Sequence, residues 1–412
     1  MMHFNCNFCK APLTQTFCDL GTSPVSNSFI KPENAQAPEP FYPLHVYACS
    51  QCFLVQLPEH KSAGEIFTDD YVYFSSMSDS WLAHSKAYCE AMRDRFVLTS
   101  ASRVIEIASN DGYLLQYFHG MGIPVLGVEP SGNVAEVARQ KGVETLVRFF
   151  GVPLATELKK SGTQADLLLG NNVLAHVPDI NDFVAGLAIA LKPEGVITME
   201  FPHLLRLVDG VQFDTIYHEH FSYFSLTAVQ RIFAAHDLVV FDVEELSTHG
   251  GSLRIFAARR GSARATVSPR IAQLQAREKT GGLTDVSRFA DFSEKVKEAK
   301  RALLDFLIKA KRDGKKVAAY GAAAKGNTLL NYCGVRTDFV DFVVDRATSK
   351  QGRLLPGTRI PVLAPEAIND ARPDYLLILP WNLRNEIVSS MAHIRRWGGA
   401  FVIPIPTVEI VP

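Results

Sequence analysis

Residues 103–112 read Arg-Val-Ile-Glu-Ile-Ala-Ser-Asn-Asp-Gly, and they decide the fold of the middle of this chain. The β-branched residues Val104, Ile105 and Ile107 predict a strand over residues 103–107. Small residues follow it, and Asp111-Gly112 predicts a tight turn that opens a helix over residues 112–120. A strand that passes through such a turn into a helix is half of a βαβ unit. In sheets built from these units, ligands bind at the carboxyl ends of the strands.

The alternation of strands and helices continues on both sides of this unit. An amphipathic helix is predicted over residues 78–98, because large apolar side chains recur there three or four positions apart. Further strands are predicted at 125–129, 165–169 and 195–200, and further helices at 133–141 and 179–191. This rhythm predicts a parallel sheet with helices on both faces.

A second α/β unit is predicted in the last third of the chain. Residues 270–313 are rich in Lys, Glu, Ala and Leu, a composition that predicts long helices. After them, strands are predicted at 316–320, 339–345 and 375–379, with a small-residue turn at 321–326 and a helix at 327–333. The fold class is therefore α/β, with two such domains in the chain.

Two CxxC motifs near the start of the chain predict a metal site. They are Cys6-Asn7-Phe8-Cys9 and Cys49-Ser50-Gln51-Cys52, each beside turn-forming or strand-like sequence. Four thiolates on two tight turns form a closed tetrahedral cage for structural zinc, so a zinc-bound β-ribbon module is predicted there. The alternative is a redox dithiol, but that needs one pair and normally opens a helix. The other cysteines are scattered and are predicted to be core residues.

The composition excludes several classes of protein. The chain has 412 residues, 47% of them hydrophobic and 21% charged, with a net charge of −1. A duplex-binding protein usually carries a basic face, so binding of nucleic acid is not expected. No leader-like segment and no run of eighteen apolar residues is present, so we expect a cytoplasmic protein without a membrane partner.

The ends of the first strands predict a pocket for a nucleoside cofactor. Glu129 ends the second strand, where a carboxylate can accept both hydroxyls of a ribose. A dinucleotide fold would need G-x-G-x-x-G after the first strand, but this chain has only Gly112, and Asp111 would repel a diphosphate. A cofactor with a positive centre fits better, which favours S-adenosylmethionine over NAD. The predicted cofactor residues are Glu106, Ala108, Asn110, Asp111, Gly112, Glu129, Asn171 and Asn172. The alternative is a salt-bridged Glu106 beside an ordinary turn.

A cluster of polar and aromatic side chains at residues 212–224 predicts the catalytic centre. Tyr217 and His220 would share one face of a helical turn, with Glu219 beside them. Histidine transfers protons near neutral pH, and tyrosine can stabilise an oxyanion. His176 follows the strand at 165–169 and is predicted to face the same pocket. Two alternatives stay open: a metal held by His218, Glu219 and His220, or simple aromatic packing.

Taken together, five segments resemble one family. They are the two CxxC motifs, Glu106 to Gly112, Tyr217-His218-Glu219-His220-Phe221, His249-Gly250-Gly251-Ser252-Leu253-Arg254, and Tyr320 to Gly326. Over essentially its whole length the chain resembles the sugar C-methyltransferases, which build branched deoxysugars. Ala108 and Asn110 stand where other methyltransferases have glycines, which is normal in this family. The resemblance implies three domains: a zinc-binding domain at 1–75, an S-adenosylmethionine-binding domain at 76–265 and a Rossmann-like domain that binds a nucleotide-sugar at 266–412.

The resemblance also implies a reaction and roles for residues. The reaction is methylation of the carbon beside a ketone, commonly C3 of a 4-keto-6-deoxy sugar. His220 matches the general base, Tyr217 and Glu219 its companions, and His176 a pocket histidine. Tyr71 and Tyr73 match a segment that borders sugar and cofactor. This chemistry is physically sensible, because a carbon becomes nucleophilic once a base removes a proton next to a carbonyl.

The turn at 321–326 predicts a site for the nucleotide diphosphate. Its backbone amides precede a helix, and such helix starts bind phosphates. The predicted substrate-binding residues of this domain are Gly321, Lys325, Asn327, Asp345, Lys350, Trp381 and Asn382. The alternative is a purely structural domain.

The leading interpretation is an S-adenosylmethionine-dependent nucleotide-sugar C-methyltransferase that is a monomer or weak dimer. Three alternatives stay open: an O- or N-methyltransferase of a small molecule, a non-catalytic sensor of sugar nucleotides, and an NAD-dependent epimerase or dehydrogenase.

Overall fold

The computed structural model describes residues 4–66 and 74–412 of the chain. It shows an α/β protein built on three sheets, as the sequence predicts. The N-terminal module has three strands and a short helix: β1 (Gln15–Ser23), β2 (Tyr42–Ala48), β3 (Val55–Gln56) and α1 (Ala63–Ile66). The predicted site residues Tyr71 and Tyr73 lie outside the described residues.

The central unit follows. Its elements are α2 (Asp79–Phe96), β4 (Val104–Ile107), α3 (Leu115–Gly120), β5 (Val125–Val128), α4 (Gly132–Gln140), β6 (Thr145–Leu146), α5 (Val152–Lys160), β7 (Ala165–Asn171), α6 (Ile180–Ala190), β8 (Leu191–Pro202), α7 (Leu204–Asp209), β9 (Ser222–Tyr223), α8 (Leu226–Ala234), β10 (Leu238–Leu246) and β11 (Ser252–Arg259). Seven of these strands form one sheet in the order β10-β11-β8-β7-β4-β5-β6. Five strands are parallel, as predicted, but the sequence analysis missed the antiparallel pair β10–β11. Strand β9 leaves this sheet and joins β3 of the N-terminal module.

The C-terminal unit contains α9 (Pro269–Thr280), α10 (Phe289–Arg312), β12 (Val317–Tyr320), α11 (Ala324–Cys333), β13 (Val343–Val344), β14 (Val362–Leu363), α12 (Ala367–Ala371), β15 (Tyr375–Ile378), α13 (Arg384–Ser390), β16 (Ala400–Ile403) and β17 (Glu409–Val411). Its sheet has the order β14-β13-β12-β15-β16-β17 and is parallel except at β17. The predicted strand at 339–345 is only two residues long. No helix among the described residues is long and apolar enough to cross a bilayer.

The N-terminal module packs against the start of the C-terminal unit. Phe17 of β1 stacks on Phe292 of α10 with ring centroids 4.7 Å apart, and Phe289 meets it edge-on at 5.2 Å. All three rings are buried. Burial of such a ring contributes about 1.5–3 kcal/mol relative to exposure. This core holds the N-terminal module close to the segment between β8 and β9, which contains the predicted catalytic residues Tyr217, Glu219 and His220.

Candidate active site

The turn after β4 has an unusual backbone. Ala108 and Asn110 adopt left-handed conformations with φ of 56° and 47°, and Gly112 has a φ of 72°. Left-handed conformations in residues other than glycine cost about 1 kcal/mol or more and concentrate at functional sites. A Cβ on Gly112 would lie 3.2 Å from the Cβ of Ala138, so α4 packs closely under the turn. The backbone is therefore bent back over the carboxyl end of β4.

Several buried polar atoms around this turn have no hydrogen-bond partner within the part of the chain that the structure describes. Among the described residues, no hydrogen bond of ordinary geometry reaches either carboxylate oxygen of Glu106, Oδ1 of Asp111, Nδ2 of Asn171 or Oδ1 of Asn172. An unsatisfied buried group costs about 1–3 kcal/mol. The pKa of Glu106 is raised well above its usual value, because it is buried and because Asp111 and Glu129 repel its charge, although Tyr113 donates towards it. Such a pocket fits the cationic sulfonium and amino group of S-adenosylmethionine and disfavours a diphosphate.

Glu129 is placed to bind a ribose. Its two carboxylate oxygens accept hydrogen bonds from the backbone N–H groups of Asn110 (3.0 Å) and Ser131 (2.9 Å). Each oxygen keeps a lone pair for a further donor. Burial raises the pKa of this carboxyl, and the two backbone hydrogen bonds oppose that shift. The carboxylate thus ties the turn after β4 to the end of β5 and stays available to hydroxyl groups.

The segment after residue 73 closes over the same turn. The backbone N–H of Ser75 donates to Oδ1 of Asn110 at 2.9 Å, and the Ser76 hydroxyl donates to Oδ2 of Asp111. Lys141 forms an ion pair with Asp111 at 3.4 Å. Asp111 therefore fixes the pocket wall with Oδ2, while Oδ1 has no hydrogen-bond partner in residues 4–66 and 74–412. The sequence analysis missed Ser75, Ser76 and Lys141, since each lies more than one element away from the turn.

The predicted catalytic residues meet in a tight turn. Tyr217 and His220 have ring centroids 4.0 Å apart, and His176 meets His220 edge-on at 4.7 Å. The prediction that Tyr217 and His220 share a helical turn is wrong in form. The backbone N–H of His220 donates to the carbonyl of Tyr217 at 2.9 Å in a turn between a short 3₁₀ helix and β9. A turn of this kind brings residues three apart together as a helix would.

One hydrogen bond sets the tautomer of His220. Its Nδ1 lies 2.8 Å from the backbone carbonyl of Thr215. A carbonyl only accepts, so Nδ1 carries the hydrogen and the neutral ring presents an unprotonated Nε2. The pKa of His220 lies well below 6.5, because the ring is buried and because His176, His249 and Lys325 disfavour a further positive charge. Burial also lowers the pKa of His176 to about 4. Both rings are neutral at physiological pH.

The neighbours of His220 attach the turn to the N-terminal module. Oε1 of Glu219 accepts a hydrogen bond from Nδ2 of Asn27 at 2.7 Å, and Nε2 of His218 lies 3.2 Å from the carbonyl of Pro43. Burial raises the pKa of Glu219 to about 7. Nothing in the sequence signals Asn27, since it lies far from Glu219 along the chain. Among the described residues, the cysteines are the one group that could hold a metal, so the His218–His220 alternative gains no support.

The four predicted cysteines form a metal centre. The Sγ atoms of Cys6, Cys9, Cys49 and Cys52 all lie within 4.8 Å of one another. The pairs Cys6–Cys52 and Cys9–Cys49 are 3.5 Å apart, too far for a disulfide and close to the spacing of about 3.8 Å around a tetrahedral zinc. Nε2 of Gln56 donates to Sγ of Cys6 at 3.2 Å, which stabilises the thiolate. The donor set fits zinc and leaves no open position for chemistry.

The C-terminal unit contributes Lys325 and Trp381 to the pocket. Nζ of Lys325 donates to Oδ1 of Asn382 at 2.7 Å and lies 4.6 Å from the centroid of the Trp381 ring. Nε1 of Trp381 donates to Oδ2 of Asp214 at 2.7 Å. Burial raises the pKa of Asp214 to about 6, while Lys325 and Trp381 oppose that shift. Asp214 is a site residue that the sequence analysis did not identify, although it lies three positions before Tyr217.

The other residues predicted to bind substrate hold this unit together. Oδ2 of Asp345 accepts from the backbone N–H of Ala322 at 2.7 Å, and Lys350 donates to the Ala322 carbonyl at 3.0 Å. Gly321 has a φ of 91°, and a Cβ there would lie 2.5 Å from Pro380. Nδ2 of Asn327 donates to the carbonyl of Ser26 at 2.6 Å. Gly321, Asp345 and Lys350 thus shape the turn before α11, and Asn327 joins α11 to the N-terminal module. Binding of substrate by these residues stays a prediction.

Comparisons with known proteins identify the family of the chain. Family models match a zinc binding domain at residues 6–67, a methyltransferase domain at 81–243 and a C-methyltransferase C-terminal domain at 247–406. The C-methyltransferase NovU of Streptomyces niveus is 34% identical over 391 residues, which cover 95% of this chain and 93% of that protein. A ubiquinone biosynthesis O-methyltransferase of Chelativorans sp. (strain BNC1) is 31% identical over 96 residues, 23% of this chain and 38% of that protein.

Among solved structures, magnesium protoporphyrin IX methyltransferase (ChlM) from Synechocystis PCC 6803 with bound SAM is similar at 15% identity and a TM-score of 0.33, over 46% of this chain and 86% of that one. The family is decided by the match with NovU, which runs through all three units of the fold. The chain belongs to the C-methyltransferase family, an S-adenosylmethionine-dependent family with a zinc-binding N-terminal domain.

Proposed function

We propose that this C-methyltransferase acts on a nucleotide-linked 4-keto-6-deoxy sugar and methylates the carbon beside the ketone, C3. The observation that carries the proposal is the tautomer of His220. With Nδ1 bound to the Thr215 carbonyl, Nε2 is a fixed, neutral acceptor in a buried pocket. A base in this state can remove the weakly acidic proton next to a ketone, which is the step that a C-methylation needs and an O-methylation does not.

Other residues of the site bind the cofactor and orient His220. S-adenosylmethionine supplies an electrophilic methyl group on a sulfonium when it is bound. Glu106, Asp111 and Glu129 hold its cationic and ribose parts at the ends of β4 and β5. Tyr217 lies against the His220 ring and keeps it oriented. His220 takes the proton from the sugar carbon and the electron pair of the broken C–H bond moves onto the ketone oxygen, which leaves the carbon able to accept the methyl group that a bound cofactor would supply.

Lys325 links substrate binding to the strength of this base. Its positive charge is one of the causes that lower the pKa of His220. A diphosphate bound at Lys325 would cancel that charge and raise the pKa of His220. Lys325 lies in the first turn of α11, where backbone amides and the helix dipole also favour an anion. The base is therefore expected to become effective when the nucleotide part of the substrate is in place.

This assignment gives the C-terminal unit its role. We place the nucleotide at the turn from Gly321 to Lys325, beside Trp381 and Asn382, and the sugar between Lys325 and His220. The proposed domains are residues 1–75, 76–265 and 266–412, which bind zinc, S-adenosylmethionine and the nucleotide-sugar.

The first prediction tests the base directly. The protein is incubated in D₂O with dTDP-, GDP- and CDP-linked 4-keto-6-deoxy sugars, without cofactor, and deuterium at the carbon next to the ketone is followed by NMR. His220→Asn keeps a side-chain N–H that can donate to Thr215 but has no basic nitrogen. We expect exchange to slow by about 10²–10⁴-fold, the range for loss of a general base.

Two controls accompany this measurement. S-adenosylhomocysteine should bind the variant with unchanged affinity in calorimetry, because His220 does not hold the cofactor. His119→Asn makes the same change at an exposed position on α3. With this variant, the sugar proton should exchange with solvent at the wild-type rate. Exchange at the wild-type rate in folded His220→Asn would exclude this base, and a methyl group at another position of the product would exclude C3.

A further inference from the structure

Three consecutive residues with positive φ precede β11. His249 has a φ of 54°, Gly250 of 90° and Gly251 of 118°. A Cβ on Gly250 would lie 2.5 Å from Cη2 of Trp381, and a Cβ on Gly251 would lie 2.6 Å from Cγ of Arg206. The two glycines are therefore required by close packing. The left-handed conformation of His249 is uncommon outside glycine, and residues held in this region concentrate at functional sites.

The loop at 248–251 is held rigidly at the pocket. The Thr248 hydroxyl donates to Oε1 of Glu200 at 3.0 Å, at the carboxyl end of β8. Nε2 of Gln212, just before the catalytic turn, donates to the carbonyl of Gly250 at 2.8 Å. The backbone N–H of His203 donates to the carbonyl of Gly251 at 3.0 Å. The loop thus joins the central sheet, the catalytic segment and, through Trp381, the C-terminal unit.

The His249 side chain contacts an aromatic pair beside the proposed cofactor site. Its ring meets Trp81 edge-on with centroids 5.1 Å apart, and Trp81 stacks on Tyr113, which lies beside Glu106 in the cofactor pocket. Lys325 disfavours a positive charge on His249, and a positive charge on His249 would disfavour one on His220. Nδ1 of His249 is buried, and no described residue forms a hydrogen bond with it. A buried ring nitrogen without a partner, in a strained and firmly held residue, is expected to have a ligand.

We propose that His249 binds a negatively charged oxygen of the substrate, in concert with Lys325. The inference rests on the proposed function and adds a third imidazole to the site, after those of His220 and His176. Burial and the neighbouring Lys325 hold the pKa of His249 at about 4, so the free ring is neutral and donates one N–H. Two substrate oxygens have the required charge: a diphosphate oxygen, present from the start, and the ketone oxygen, which becomes negative when the proton leaves.

Two variants separate this role from a structural one. Asparagine tolerates positive φ, so His249→Asn preserves the loop and removes the imidazole. His249→Gly removes the side chain and relieves the backbone, which leaves space for added imidazole. Each variant is titrated with dTDP, GDP and CDP by calorimetry and is then assayed for solvent exchange with the corresponding 4-keto-6-deoxy sugar nucleotides. Thermal unfolding and binding of S-adenosylhomocysteine report on the fold.

If His249 donates a hydrogen bond to a charged oxygen, its replacement should lower either nucleotide affinity or the rate of solvent exchange by at least about tenfold. Weaker binding of the nucleoside diphosphate in both variants assigns His249 to a diphosphate oxygen. Unchanged binding with exchange slowed at least tenfold assigns it to the ketone oxygen. Added imidazole should restore part of the loss in His249→Gly.

The proposal is wrong if binding and exchange in His249→Asn both stay within twofold of wild type, or if imidazole restores nothing in His249→Gly. Absence of exchange in the wild-type protein would instead count against the proposed function, so the two failures are distinguishable.

Discussion

Burial makes the individual residues of this site chemically unusual. His220 and Glu219 are adjacent, and the surrounding protein shifts the pKa of both towards the neutral form. A neutral histidine is the form that can accept a proton, so burial prepares His220 for its role. For Glu219 the same burial has a cost, because a carboxylate that must ionise away from water destabilises the folded state.

The Glu219 shift predicts how stability depends on pH. Its pKa is about 7 in the folded protein against 4.5 as the usual value. Between these values the folded state binds more protons than the unfolded state, so stability falls as pH rises, and the loss is complete above pH 7. Glu219→Gln removes the charge and keeps an oxygen for Asn27. At pH 8 we expect the variant to have a higher thermal midpoint than wild type and a free energy of unfolding larger by up to about 3 kcal/mol. At pH 4.5 both quantities should change little.

The matched control is Glu366→Gln, which makes the same change at an exposed position. It should leave the midpoint unchanged at both pH values. If Glu219→Gln has the same small effect at pH 8 as at pH 4.5, Glu219 is already ionised without cost in the folded protein.

At the scale of elements, the zinc module and the catalytic turn share a sheet. Val55 and Gln56 of β3 pair with Tyr223 and Ser222 of β9, and the backbone N–H of Leu57 donates to the carbonyl of Phe221 at 2.9 Å. The side chain of Gln56 points back to the metal centre, where it accepts from the Asn7 backbone N–H at 2.7 Å and donates to Cys6. One residue thus contacts the zinc ligands through its side chain and the catalytic segment through its backbone.

This connection predicts that the metal centre supports the catalytic turn. Gln56→Ala removes the hydrogen bonds to Asn7 and Cys6, and loss of such an outer contact lowers metal affinity by about 10–100-fold. We expect the chelator concentration that removes zinc to fall, and amide hydrogen exchange across residues 217–223 to accelerate as zinc leaves. Exchange in β4, which lies in another sheet, should stay slow.

Gln51→Ala is the control for this variant, because Gln51 lies in the second CxxC motif with an exposed side chain. This variant should keep the wild-type zinc affinity and the wild-type rate of amide hydrogen exchange across residues 217–223. Unchanged exchange across 217–223 after zinc has been removed from Gln56→Ala would show that the turn is stable without the metal centre.

Local sequence was sufficient to predict the elements but insufficient to predict their partners. The strands at β4, β5, β7 and β8 and the helix α10 follow from hydrophobic periodicity, which is a local property. The four cysteines could be assigned because tetrahedral zinc needs a fixed set of ligands. The contacts of Asn27 with Glu219 and of Trp381 with Asp214 join residues more than 150 positions apart. No local pattern predicts them, since they arise only when separate units pack together.

At the scale of the whole molecule, the catalytic turn is held by both flanking units. Asn27 contacts it from the N-terminal module. From the C-terminal unit, the Thr328 hydroxyl donates to the carbonyl of Ile216 at 2.9 Å, and Trp381 donates to Asp214. Asp214 immediately precedes Thr215, whose carbonyl fixes the tautomer of His220. The orientation of the base therefore depends on the C-terminal unit, which we propose binds the nucleotide.

Trp381→Phe tests this dependence. Phenylalanine keeps an aromatic face for Lys325 but cannot donate to Asp214, and loss of a hydrogen bond to a charged group costs about 1.5–3 kcal/mol. Because the backbone at Asp214–Thr215 is then less firmly held, we expect turnover to fall by about tenfold or more, as small misplacements of a catalytic group do. Trp397→Phe is the matched control, since Nε1 of Trp397 donates to the Pro373 carbonyl at 3.0 Å, outside the proposed pocket. It should lose some stability and keep turnover within twofold. Equal turnover in the two variants would show that His220 is positioned without help from the C-terminal unit.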